Sequence, residues 1–137
     1  MLFRSLSGTL ERFPTLKIVY AESQIGWMPY LLERTDIVWE EGVGGVDLPN
    51  RPSSYVPGRV YGCIFDDQHG LNSRDSVGLG SILFETDYPH ADGTFPRSRE
   101  VAHRLCATAG MNADETYAFL RGNAIEAFGL ERFGIDR

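Results

Sequence analysis

Three short apolar runs punctuate the chain: LKIVYA (Leu16 to Ala21), RVYGCIF (Arg59 to Phe65) and SILFET (Ser81 to Thr86). Each is rich in β-branched and aromatic side chains and is bounded by turn-forming or charged residues, which predicts a strand. Between and around them the apolar positions recur at helical spacing. LSGTLERF places Leu6, Leu10 and Phe13 on one face before Pro14 ends the helix. Leu2 to Phe13 reads as the tail of a helix already under way, so Met1 is not expected to be a true start. A second helix is expected from about Met28 to Trp39, with Pro29 in its first turn, where a missing N–H costs nothing. RSREVAHRLCATAG carries Val101, Leu105 and Cys106 or Thr108 on one face, with Gly110 as its stop. A last helix opens on Asn112 and Glu115, spaced as a capping box, and carries Phe119, Leu120, Ala124, Ala127 and Phe128 as its apolar stripe.

Strands therefore alternate with helices, and each strand is apolar almost throughout rather than at every second position. That pattern belongs to parallel strands buried on both faces by crossover helices, an α/β fold. One long segment, EGVGGVDLPNRPSSYVPG, reads as loop. Neither an internal repeat nor a low-complexity tract interrupts the single domain expected over residues 1–137.

Composition narrows the partners. A net charge of −6 over 137 residues removes the basic field that nucleic-acid binding requires, and no polybasic cluster suits an anionic membrane surface. No run approaches the ~20 apolar residues of a spanning helix. The two cysteines, Cys63 and Cys106, lie far apart in apolar contexts and read as buried free thiols, which fits a cytoplasmic location.

Every predicted strand ends on acid: Glu22 after IVYA, Asp66 and Asp67 after GCIF, Asp87 after LFET. Parallel strands of an α/β sheet or barrel point one way, so these carboxylates share the rim where active sites form. For any one of them, solvation of a loop start or capping of the next helix is the favoured account; the case for function lies in the set. Asp87 has the strongest individual case, because Ile82, Leu83 and Phe84 fix its backbone. A carboxylate held there can bind a divalent ion through one oxygen and accept a proton through the other. His90, three residues on, and His69, after Asp67, are further candidates for a ligand, a substrate contact or a loop hydrogen bond. His103, inside a helix, is expected to be exposed, and Trp27 and Trp39 to lie in the core or face a partner. Arg51, Arg59 and Arg74 are the loop cations available to hold a substrate carboxylate.

RFPTLKIVYAESQIGWMPYLLER, FETDYPHADGTFP and RGNAIEAF together resemble the C-terminal part of the amidohydrolase-related family, over essentially the whole chain. Those enzymes are metal-dependent (β/α)8 barrels and include aminocarboxymuconate-semialdehyde decarboxylase. The resemblance implies the C-terminal part of a TIM barrel, a divalent metal such as zinc, and a small carboxylate or carbonyl substrate. It makes Asp87 a metal ligand and proton acceptor. Glu22 stands where the decarboxylases often carry a catalytic histidine; a glutamate is no ready cation for protonating carbon, and its catalytic role would be that of a base or of a metal or substrate contact. Asp67, His69, His90 and Arg59 are assigned to the substrate side.

The family's first strand supplies a His-x-His pair and a middle strand a further histidine, whereas His69, His90 and His103 form no such pair. A full barrel takes about 250 residues and eight strands. The expected site is thus incomplete, and the chain alone is expected to be nearly inactive. Two other readings compete. One is a non-catalytic partial barrel that self-associates, as a homo-oligomer, or completes another chain, with Val19, Cys63 and Phe84 on its exposed inner face. The other is an independent small α/β binding protein without metal.

Overall fold

A parallel three-stranded sheet forms where the three apolar runs were expected, in the order β1 (Ile18–Tyr20), β2 (Val60–Ile64), β3 (Ile82–Phe84). The computed structural model describes residues 7–43 and 47–136. Ile18 pairs with Val60 and Cys63 with Leu83, so side chains alternate in step across the sheet. Each strand is shorter than its apolar run, because the flanking residues turn into rim loops.

Helices α1 (Thr9–Arg12), α2 (Met28–Glu40), α3 (Gln68–Asn72), α4 (Arg74–Val77), α5 (Ser98–Thr108), α6 (Ala113–Tyr117) and α7 (Asn123–Phe128) complete the described residues, with short 3-10 turns at Pro52–Tyr55, Leu79–Ser81 and Leu130–Phe133. Pro29 sits in the first turn of α2. The long loop is anchored to that helix: Asp36 accepts from the Ser53 N–H at 2.9 Å and from its hydroxyl at 2.6 Å. Among the described residues of the first expected helix, Thr9–Arg12 are helical; Leu10 is buried but Phe13 is exposed, and Leu6 lies outside the described residues.

The outer face of the sheet carries the main core, in which Ile64 and Ile82 meet Ile25, Met28, Leu71, Leu105, Cys106 and Phe119. Gly62 makes that packing possible. A Cβ there would lie 2.5 Å from Ile25 Cγ2 and 3.0 Å from Met28 Sδ, so only glycine lets α2 approach the central strand. The inner face carries Tyr61, Cys63 and Leu83 with Val19, and α7 covers it through Ala124 and Ala127. Phe84, expected with Val19 and Cys63, belongs instead to the outer core, its ring edge-on to Phe119 at 5.7 Å. The register explains the correction: Phe84 is one residue from Leu83 and therefore on the opposite face.

The closing helix is not continuous. Its capping box forms as expected, but Ala118–Gly122 makes a π turn between α6 and α7. The extra residue rotates everything after it by ~100°. Phe119 and Ala127 stay buried, Leu120 and Phe128 turn outward, and Ile125 takes a core place outside the expected stripe. In α5, Leu105 and Cys106 face the core while Thr108 and His103 are exposed. Both cysteines are free and buried. Trp27 and Trp39 are half-buried, their indole N–H groups donating to the carbonyls of Ser23 and Leu48. No helix among the described residues is long and apolar enough to cross a membrane.

Candidate metal centre at the strand ends

Two of the acidic strand ends meet. Glu22 follows β1, Asp87 follows β3, and each has a left-handed backbone (φ 54° and 55°), which turns the chain sharply off the strand and onto the rim. His90 completes the group: Glu22, Asp87 and His90 each offer a ligand atom, all within 4.8 Å of one another. Asp87 Oδ1 lies 3.1 Å from His90 Nδ1, and Glu22 Oε1 lies 3.9 Å from the same nitrogen. The Asp87 side chain is only 11% exposed, whereas Glu22 and His90 open to solvent at 56% and 62%.

The loop after β3 holds its own shape. The His90 N–H donates to the Asp87 carbonyl at 2.8 Å, and the Thr94 N–H returns to the Thr86 carbonyl at 3.0 Å. Gly93 lies where this closure is tightest, since a Cβ there would stand 2.6 Å from the Thr86 oxygen. The buried Thr94 hydroxyl adds bonds to Thr86 and to Ser98, fixing the loop to the start of α5.

A third acid belongs to the group although the strand-end pattern did not single it out. Glu85 accepts the Glu22 N–H at 2.7 Å and so ties the loop after β1 to the end of β3. Burial raises its carboxyl above the usual range. The Glu22 N–H offsets part of that, and the charges of Asp87 and Glu22 push it up further. The signal was present in the sequence: Glu85 is two residues beyond Leu83 and continues the inner face by the period of a strand. On the same face, burial and then the Glu85 charge push the Cys63 thiol up to about 12.

The other candidates go elsewhere. Asp67 turns inward, where its Oδ2 accepts from the N–H groups of Ile25 (2.8 Å) and Gly26 (2.7 Å) and its Oδ1 from Gly70 (2.7 Å). It caps α3 and fastens the loop after β1 to the loop after β2. Asp66 pairs with Arg104 at 2.7 Å. His69 is exposed beside Gly26 and outside the three-residue group. Arg59 stands at the amino end of β2, the opposite rim, where its guanidinium donates to the carbonyls of Leu10, Phe13 and Leu16. Arg51 pairs with Glu40, and Arg74 with Glu115 while also donating to the Leu71 and Ala109 carbonyls.

The donor set suits a metal. Ligands on one ion at ~2.1 Å stand ~3.0–3.4 Å apart, close to the Asp87–His90 spacing of 3.1 Å, while Glu22 Oε1 stands farther off at 3.9 Å from the imidazole. Carboxylates and an imidazole are the usual ligands of divalent first-row ions.

Comparison with known proteins agrees with this architecture. The sequence model of a family described as amidohydrolase matches residues 1–130. An amidohydrolase from Mycobacterium avium subsp. paratuberculosis K-10 superposes with a TM-score of 0.74 at 21% identity, covering 93% of this chain and 32% of that one. The 5-carboxyvanillate decarboxylase LigW from Sphingomonas paucimobilis gives a TM-score of 0.73 at 27% identity, covering 93% and 38%. The chain spans about a third of the length of these solved structures, and its parallel strands with flanking helices correspond to part of a TIM barrel. No curated protein matches it.

Proposed function

The chain belongs to the amidohydrolase family, and from that premise we propose that it is the C-terminal portion of a metal-dependent hydrolase or decarboxylase acting on a small carboxylate or carbonyl substrate. The observation that carries the reading is the meeting of Asp87 with Glu22 and His90 at the carboxyl ends of the strands, where barrel enzymes do their chemistry. When bound, the divalent ion would polarise a substrate oxygen and lower the pKa of a water molecule. Asp87 is the ligand on the rigid side of the site and the acceptor of a proton. Glu22 is a base or a substrate contact rather than a proton donor to carbon. His90, hydrogen-bonded to Asp87, orients that carboxylate. Asp67 serves the site indirectly by holding the loop that carries Glu22.

The chain alone is expected to turn over almost nothing, because the family's His-x-His strand is no part of it. The test has two arms. The purified chain with Zn2+ or Mn2+ is assayed for hydrolysis and CO2 release on small carboxylates against an Asp87→Ala control. The same chain is then fused behind the His-x-His-bearing strands of a family member. Metal-dependent turnover in the fusion that Asp87→Ala abolishes supports the reading; turnover that survives the substitution removes Asp87 from the mechanism. Self-association is the second reading, favoured by β1 and β3 each leaving one edge unpaired among the described residues.

A further inference from the structure

Helix α5 and the segment that returns after Gly110 pack on the core through Leu105 and Phe119, and between them they leave a cavity of about 390 Å3 open to solvent. Ala102, Cys106 and Ala107 line it from α5 and are too small to fill it. Met111 and Leu120 line it from the returning segment, Leu120 being turned outward after the start of the π turn and 38% exposed. A hollow of this size lies at the small end of ligand pockets (~300–1,000 Å3), and keeping water against apolar walls is unfavourable. Its polar groups are few and of one kind. Arg99, His103 and Cys106 recur at i, i+4 and i+7 and so share one face of α5. Arg104, next along, pairs with Asp66, but neither Arg99 nor His103 has an ion pair or side-chain hydrogen bond among the described residues. Glu115, beside the lining residue Thr116, is already engaged by the Asn112 N–H and by Arg74.

We infer that this cavity is a binding site for a small amphiphilic carboxylate, whose apolar body enters between α5 and the π turn and whose head is held by Arg99 and His103. The guanidinium brings the charge and a planar fork that matches a carboxylate. The imidazole N–H and the Thr116 hydroxyl are further donors in the same wall. A cationic ligand would meet Arg99 as a like charge, and a neutral one would leave it unused. A sugar-like body is excluded by the walls, because alanine, methionine and leucine side chains offer its hydroxyls no partners. None of Glu22, Asp87 and His90 lines the cavity, so it stands apart from the proposed metal centre.

The experiment is a titration of the full chain, labelled with nitrogen-15 and kept in chelator, with sodium octanoate followed by two-dimensional amide NMR. The chelator prevents an ion at the rim from holding the carboxylate. Binding of one saturable equivalent is expected, with shifts gathered on Arg99 to Ala107 and on Thr116 to Leu120. Ala107→Phe, at an exposed position in the cavity wall, should fill the space and weaken binding by at least about tenfold. Arg99→Gln should weaken it by about three- to fivefold, as befits an exposed charge pair. Octanol, with the same body and no charge, should bind the parent chain less tightly than octanoate. The same spectra show that each variant is folded. Absence of saturable shifts, shifts gathered elsewhere, or unchanged affinity in Ala107→Phe overturns the site. Octanol bound as tightly as octanoate, or unchanged affinity in Arg99→Gln, overturns the assignment of the ligand as a carboxylate.

Discussion

Asp67→Asn tests whether the rim is held by buried hydrogen bonding rather than by exposed charge. The carboxylate accepts three backbone N–H groups through two oxygens, from Ile25 and Gly26 on one and Gly70 on the other. Asparagine keeps a single acceptor oxygen. It can serve the Ile25–Gly26 pair or Gly70, and its amide then confronts whichever donors it abandons. A hydrogen bond to a charged group contributes roughly 1.5–3 kcal/mol, and an orphaned buried donor costs roughly 1–3 kcal/mol. These terms overlap, so a loss of about 2–4 kcal/mol is expected. Asp66→Asn is the matched control one residue away. It breaks a pair with Arg104 whose side chains are about half exposed, and should cost at most about 1 kcal/mol. Urea denaturation of the metal-free chain and both variants, read as midpoints at a common slope, gives the comparison. If Asp67→Asn costs no more than Asp66→Asn, the inward carboxylate is not what holds the two loops together, and the account of how Glu22 is placed fails with it.

Gly62→Ala should destabilise by about 1–3 kcal/mol, because its methyl group meets Ile25 and Met28 at 2.5 and 3.0 Å and α2 must retreat from β2; thermal melting reads the loss. Phe119→Ala should cost about 3–5 kcal/mol by emptying the core beside Phe84, whereas Phe128→Ala, on the exposed side of the π turn, should cost far less. With its thiol pushed up to about 12, Cys63 is thiolate to only ~10⁻⁴ at pH 8, so iodoacetamide should leave it unmodified in the native chain and alkylate it in denaturant, as peptide mapping would show. Glu85 has a folded pKa raised above its unfolded value near 4.5. Its contribution to stability is therefore fully present below that value and lost as pH rises through the folded one. Glu85→Gln keeps an acceptor for the Glu22 N–H, so in chelator it should melt higher than the parent at pH 7, with the gap closing toward pH 4. A lower melting point at pH 7 would reverse the sign.

The strands, their parallel arrangement and the α/β class were legible because burial on both faces leaves a continuous apolar run that few other elements require. Helix α2 and the capping box of α6 were legible for a similar reason, since they rest on local rules of spacing and capping. What escaped was set by backbone geometry with little local signature. The π turn at Ala118–Gly122 moved Leu120 and Phe128 off the expected stripe, and no periodicity predicts a one-residue insertion. Acidity at the strand ends was visible, but the direction each carboxylate takes was not. Glu22 and Asp87 turn to the rim through left-handed residues, Asp67 turns in to cap a helix, and the sequence shows only an acid after a strand in each case. Arg59 was expected, as a loop cation, to hold a substrate carboxylate; it lies at the amino end of β2 and donates to the carbonyls of Leu10 and Phe13. Glu85 is not the last acid of its run, and only the alternation of β3 points to it.

The contacts that shape the rim have a common reach. Asp67 joins the loop after β1 to the loop after β2, Glu85 joins the end of β3 to the loop after β1, and Thr94 closes the loop after β3 on itself. Each acts within one βα unit or between units of this same sheet. Contacts of this short reach give the rim its local shape from neighbouring units of the sheet. The inner face follows the same rule, with Ala124 and Ala127 of α7 packing on Tyr61, Cys63 and Leu83 from within the chain. The geometry of Asp87, Glu22 and His90 is therefore set by contacts among the described residues.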